Sequence, residues 1–437
     1  MYRKILFFMA SVALGGCGLF FDDPAKKKLP GERVSVLRFD RALQPDPELA
    51  RLPVRLPPPW GNPDWPQAGG LASHAMHHLD LGRAPSRAWR ASVGRGSNSE
   101  RRLLAQPVVA GNRVYTLDAS ARVYALEAAS GERVWRKDLR PREETEGTLG
   151  GGMAFDNGRL YVTTGFAEVI ALNAKSGAEI WRRKVSGPMR AAPTAAAGRI
   201  FAITIDNKTH ALAADDGRML WTHTGTAETA GLLGGASPAV ADGIVVVPYS
   251  SGELFALRAA NGRLLWTEFL ARPQRTSAVS TMADIQAAPV IDRGRVIVIS
   301  NSGRMVAMKL RNGALVWQQP IGGQQSPWVA GEFIYVVTTE GYLVCLTRRD
   351  GRVRWVRTVP LYENEKKKTG LISWAGPVLA GDRLLLAGSH GEVLSVSPYT
   401  GDLLGTLEMP DAVFIPPAVA DKTLYFLTDD ADLIALR

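Results

Sequence analysis

The sequence predicts an all-β fold, an eight-bladed β-propeller of four-stranded antiparallel blades with tryptophan-docking-like repeats, closed by its own N-terminal strand. Three observations carry this. A Gly followed four residues later by Trp recurs along the chain, the period is near 45 residues, and the two ends of the array are incomplete in complementary ways. Composition agrees. The 437 residues include 44 Gly and 27 Pro for turns, 11 Trp, and 46% apolar residues for a core.

The marker falls at Gly131/Trp135, Gly177/Trp181, Gly217/Trp221, Gly262/Trp266, Gly313/Trp317 and Gly351/Trp355. A seventh copy has Gly401 with Gly405 in the Trp position. Five residues before each marker Gly stands Leu126, Leu172, Leu212, Leu257, Met308, Leu346 or Val396, preceded by Ala, Cys or Ser. Successive marker glycines are 46, 40, 45, 51, 38 and 50 residues apart. In one unit, Pro238-Ala239-Val240-Ala241 reads as a short inner strand and Asp242-Gly243 as a turn. Ile244 to Val247 is wholly apolar, as a strand covered on both faces must be. Glu253 to Leu257 and Leu264-Leu265-Trp266 complete four strands. Each Trp offers a large apolar surface that can dock between blades.

The ends do not match. A last unit runs from Pro417 to Arg437 and lacks an outer strand, while Trp89 lies one repeat step before Trp135 with no inner strands ahead of it. Residues near 86–92 therefore supply the missing strand, which removes open sheet edges. The propeller is expected over 86–437. Trp89, Trp135, Trp181, Trp221, Trp266, Trp317 and Trp355 are its expected docking residues. This closure places the preceding segment beside the first and last blades.

Residues 1–16 read as a lipoprotein signal peptide: Arg3 and Lys4, an apolar stretch from Ile5 to Leu14, then Gly15-Gly16 before Cys17. The arrangement resembles a bacterial lipobox, which implies cleavage before Cys17, acylation of its thiol and export. By analogy with lipoprotein sorting, Gly18 implies anchoring at the periplasmic face of the outer membrane. Residues 17–85 read as a Pro-rich tether and cap segment. The other cysteine, Cys345, sits in an apolar run, so no disulfide is expected.

The net charge of +10 raises nucleic acid as a partner, but only Lys26-Lys27-Lys28 and Lys366-Lys367-Lys368 form runs. No dense basic stripe is evident, so no nucleic-acid binding is expected, and an anionic membrane surface suits the N-terminal run better. His74-Ala75-Met76-His77-His78 has the residue types of a soft-metal site, yet follows Trp65 to Gly70 in what reads as a packed cap. No metal is assigned to it. No Ser-His-Asp or Cys-His set is evident. Gly150 to Gly152 and Gly231 to Gly235 precede strands, so they read as backbone turns and not as phosphate loops.

The Ala-Leu…Gly-x-x-x-Trp unit resembles the repeat of quinoprotein (PQQ) propellers. Enzymes of that kind hold a quinone on the ring axis with a metal ion and a carboxylate base, many beside two adjacent cysteines. Adjacent cysteines are absent here. Lipobox, tether, eight repeats and no appended domain are similar to the BamB family of outer-membrane β-barrel assembly lipoproteins. That resemblance implies a scaffold without catalytic residues or cofactor. It implies binding to the POTRA domains of BamA and to other assembly subunits, with unfolded outer-membrane proteins as clients. In that family an apolar-Arg pair before a blade-opening Pro contacts the partner, and Met189-Arg190 before Pro193 match it. An Asp-x-Asp before another such Pro is matched by Asp284 but departs at Gln286. Gly187 stands where the family has a further apolar contact. The long connection after Trp266 adds Arg272, Arg275 and Met282. A quinoprotein-like dehydrogenase and a propeller binding cell-wall or small-molecule ligands remain the alternatives.

Overall fold

The turn at Asp242-Gly243 has positive φ at both central residues, +50° and +71°. This geometry matches strand twist, and glycine adopts it without steric cost. It joins Ala239–Ala241 to Ile244–Pro248, which pairs with Glu253–Arg258, which pairs with Leu264–Phe269. The computed structural model describes residues 43–49, 52–144, 149–228, 232–270 and 284–437. In them this four-stranded unit occurs eight times, the all-β eight-bladed propeller that the repeat predicts. Blades 1 to 7 span residues 108–138, 151–184, 194–224, 239–269, 290–319, 328–358 and 374–408. Blade 8 combines residues 418–436 with Arg87–Ser92 as its outermost strand. Ser86 and Arg437 exchange backbone hydrogen bonds of 2.6 and 2.9 Å, and Trp89 faces Ala435 across the pair.

The repeat residues have distinct tasks. Each Trp is the cross-strand partner of the small residue: Ala125 with Trp135, Ala256 with Trp266, Cys345 with Trp355. A bulge follows at once, between that small residue and the next Leu. The indole then leaves its own blade. Trp89, Trp135, Trp181, Trp221, Trp266, Trp317 and Trp355 donate Nε1–H to Ala128, Ala174, Ala214, Ala259, Leu310, Arg348 and Pro398 of the next blade, at 2.7–3.1 Å. Each ring lies on the next blade's marker glycine, where an added Cβ would meet it at 2.6–2.8 Å. Seven of eight junctions are built this way.

Residues 62–81 thread the ring in blade order. Asn62 O accepts from Asp421 N of blade 8, and Trp65 exchanges hydrogen bonds with Val109 of blade 1. Pro66 O takes Phe155 N of blade 2, and Gln67 Oε1 takes Ala195 N of blade 3. Ala72 O takes Val240 N of blade 4, and Ser73 O takes Ile291 N of blade 5. His77 O receives the Trp328 indole N–H of blade 6, and Leu79 pairs with Leu379 and Gly381 of blade 7. The inward edges of the inner strands, which would otherwise leave backbone groups unpaired, are thus satisfied by the chain itself. Trp65, Met76 and Leu79 are fully buried there, Trp65 stacked on Trp328 at 6.5 Å.

This circuit corrects the expected path of the preceding segment. Ahead of this circuit, Asp46, Glu48 and Leu52 lie along blade 6 and not beside blades 1 and 8. Asp46 N bonds Val353 O at 2.8 Å, Arg352 pairs with Asp46 and Glu48, and Arg354 donates to Leu52 O. From there the chain makes one full turn inside the ring before Arg87 enters blade 8.

Candidate partner-binding site

Connections from each outer strand to the next inner strand emerge on one face, together with the turns between second and third strands. On this rim, Arg190 precedes blade 3, residues 232–237 precede blade 4, and Asp284 precedes blade 5. The three segments meet. Asp284 Oδ2 accepts Leu232 N–H at 2.9 Å, Arg190 Nη1 reaches Leu232 O at 3.4 Å, and Gln286 Nε2 donates to Leu233 O at 2.8 Å. Arg190 and Asp284 line one cavity of about 140 Å³, with Ile205, Glu228 and Leu232. Burial raises the Asp284 carboxyl to about 6, against the opposing pull of the Leu232 N–H and the Arg190 charge.

Arg190 and Asp284 lie two blades apart on one rim, as the repeat spacing implies. The structure adds that the loop between them, read as a backbone turn, is the piece both hold. Leu233 and Ile205 stand exposed beside it, 46% and 43%. Two leucines flanked by glycines in a polar connection were the available signal. Met189, expected among the contact residues, is fully buried with Tyr161, Trp181 and Ile200. Its side chain points into the blade 2–3 core and anchors the loop, so it does not present a contact surface. At Gly187 an added Cβ would meet Asp206 Oδ1 at 3.4 Å and Thr204 Cβ at 3.8 Å, ordinary contact distances. Cys17, Arg272, Arg275 and Met282 lie outside the described residues.

A second cavity, about 270 Å³, opens on the same rim along the axis. Trp65, Gly69 and His74 line it, with Arg190, Leu233, Gln286, Gln324 and Phe414 around them, and no carboxylate is among its lining residues. The histidine cluster does not converge. His74 Nδ1 bonds Pro289 O at 2.7 Å, and burial lowers its pKa to about 4. His77 faces Asp292 at 3.3 Å, while His78 bonds Pro57 O and accepts from Asp382 N–H.

A ring of tryptophan-docked blades with this axis defines a PQQ-like repeat propeller. Solved structures of similar shape share the propeller fold and divide in what they do. BamB from Moraxella catarrhalis superposes with a TM-score of 0.69 at 16% identity, over 81% of this chain and 100% of that one. A europium-containing methanol dehydrogenase gives 0.66 at 14%, over 83% and 89%. At such identities the likeness speaks for the fold alone. Sequence separates them. The model described as outer membrane protein assembly factor BamB matches residues 82–147 and 119–357. The factor of that name from Alkalilimnicola ehrlichii is 33% identical over 357 residues, 82% of this chain and 89% of its own. That from Escherichia coli K12 is 26% identical over 357 residues, 80% and 88%. The chain belongs to the BamB family of outer membrane protein assembly factors.

Proposed function

We propose that the chain is a scaffold subunit of the outer-membrane β-barrel assembly machinery, docking through the rim of blades 3 to 5 onto the POTRA domains of BamA. The observation that carries this reading is the convergence of Arg190, Asp284 and Gln286 on residues 232–233, with Leu233 and Ile205 exposed beside them. A charged pair set among accessible apolar residues, in loops held by a rigid scaffold, is the composition of a protein contact. In this reading the protein catalyses nothing, and the absence of a carboxylate from the axial cavity lining favours it over quinone chemistry. Acylation of Cys17 would hold the ring at the periplasmic face of the outer membrane. Labelled palmitate should enter the wild-type chain and not Cys17→Ser.

Arg190→Glu sets a carboxylate beside Asp284 and should abolish co-purification with BamA from solubilised envelopes, with far-UV dichroism unchanged. Undiminished co-purification would overturn the assignment.

A further inference from the structure

We infer that the outer circumference of blades 8, 1 and 2 is a docking face for anionic phospholipid headgroups. The outer strands there are Arg87–Ser92, Arg133–Asp138 and Glu179–Lys184. They are neighbours around the ring, because Trp89 docks on blade 1 and Trp135 on blade 2. Together they carry Arg87, Arg90, Arg133, Arg136, Lys137, Arg182, Arg183 and Lys184.

Their carboxylates are already engaged. Asp138 binds Arg122 at 3.2 Å and Arg140 at 2.7 Å, and Glu179 binds Arg182 at 3.0 Å. Asp432, across the blade 8 pair, takes Arg90. Arg87, Arg133, Arg136 and Lys184 therefore remain exposed with no carboxylate partner among the described residues. Val134 and Ile180, 40% and 42% exposed, lie among them. The next three outer strands, Met219–Thr224, Leu264–Phe269 and Leu315–Gln319, contain no Lys or Arg. The outer strand of blade 6, Val353–Thr358, carries Arg354 and Arg357, but Arg354 donates to Leu52 O and Arg357 pairs with Asp402, so the unpaired cations gather on blades 8, 1 and 2.

The form of the wall selects its partner. It spans three blades, its cations sit singly along strands, and neither of the described cavities opens on it. A plane of headgroups reads spread charge and needs no pocket, and Val134 and Ile180 could enter the interfacial layer. Single-stranded nucleic acid would seek exposed aromatic faces, whereas Trp89, Trp135 and Trp181 are turned onto the next blade. The rim at blades 3 to 5 stays clear of this face, so lipid and protein contacts can coexist.

The test uses the chain from Cys17 onward, unacylated, sedimented with vesicles of phosphatidylethanolamine containing roughly a quarter phosphatidylglycerol, or phosphatidylcholine in its place. Binding should be about tenfold tighter to the anionic vesicles and should fall with salt. Arg133→Glu with Arg136→Glu should lower it about tenfold, and the Gln pair should lower it less. Arg218→Glu with Arg263→Glu, exposed on blades 3 and 4, makes the same charge change off the wall and should stay within about twofold. No preference for phosphatidylglycerol, or equal losses in the two Glu pairs, would overturn the proposal. Because no BamA is present, failure here leaves the rim reading untouched.

Discussion

The junction between blades 7 and 8 differs from the other seven, and the difference explains the repeat. Everywhere else an indole from one blade lies on the marker glycine of the next and donates to a carbonyl close by. Blade 8 has no such glycine. Its third strand, Asp432–Leu436, and its outer strand, Arg87–Ser92, come from distant parts of the sequence, so no turn joins them. Blade 7 correspondingly has Gly405 where the Trp would stand, and no atom lies within 4 Å of an added Cβ there. The Trp and the Gly four residues before it look like one local motif. Physically they are halves of two different contacts, and the loss of one receiving turn accompanies the loss of one donor.

The most direct way to break this contrast is to remove a docked indole. Trp266→Ala takes away a buried side chain and leaves Leu310 O without its donor. A loss of about 3–5 kcal/mol is expected. It would be read as a lower denaturant midpoint at unchanged slope. The receiving half should matter nearly as much. Gly262 has φ +72°, and its Cβ would lie 2.8 Å from the Trp221 ring. Gly262→Ala should cost about 2–3 kcal/mol by the same measurement, combining backbone strain with a displaced indole. A cost near that of an ordinary surface substitution would show that the glycine is a turn residue and nothing more.

How far this was legible in the sequence depends on the range of the contact. Blade number and closure followed from a period, which is local information repeated. The partner of each indole did not, since the contact joins residues about one repeat apart. The threading of residues 62–81 was hidden for a related reason. Each of its residues answers to a different blade, so no period arises, and the segment reads as a tether with a cap. On the rim, Arg190 and Asp284 could be singled out from a family pattern. The loop they share could not, because an apolar residue in a connection looks the same in sequence whether buried, like Met189, or exposed, like Leu233.

At the rim end of the docked junctions, Asp284 offers a test that needs no truncation. Its carboxyl is raised from 3.8 to about 6, chiefly by burial. Between those values the native chain keeps a proton that the unfolded chain releases. Stability should therefore fall as pH rises from about 4 to about 6, by roughly 2 kcal/mol, with the loss complete above that range. Asp284→Asn should remove this component from the difference between the two pH profiles. If the profiles run parallel, the carboxyl does not titrate with folding.

The smallest effects should come from the undocked junction, and they sharpen the contrast most. Gly405→Ala meets open space, so its stability should match the wild type or exceed it by up to ~0.5 kcal/mol through lower chain entropy when unfolded. Gly405→Trp restores the repeat's consensus in sequence but not in structure, because blade 8 has no receiving glycine. Its indole would join Leu403, Leu404 and Leu407, already exposed on that strand. The denaturant midpoint should stay within about 0.5 kcal/mol of wild type. Indole fluorescence should show the added ring in water. A gain comparable to the loss in Trp266→Ala would mean that an indole docks on any neighbouring blade, and the pairing of donor and glycine would no longer account for the repeat.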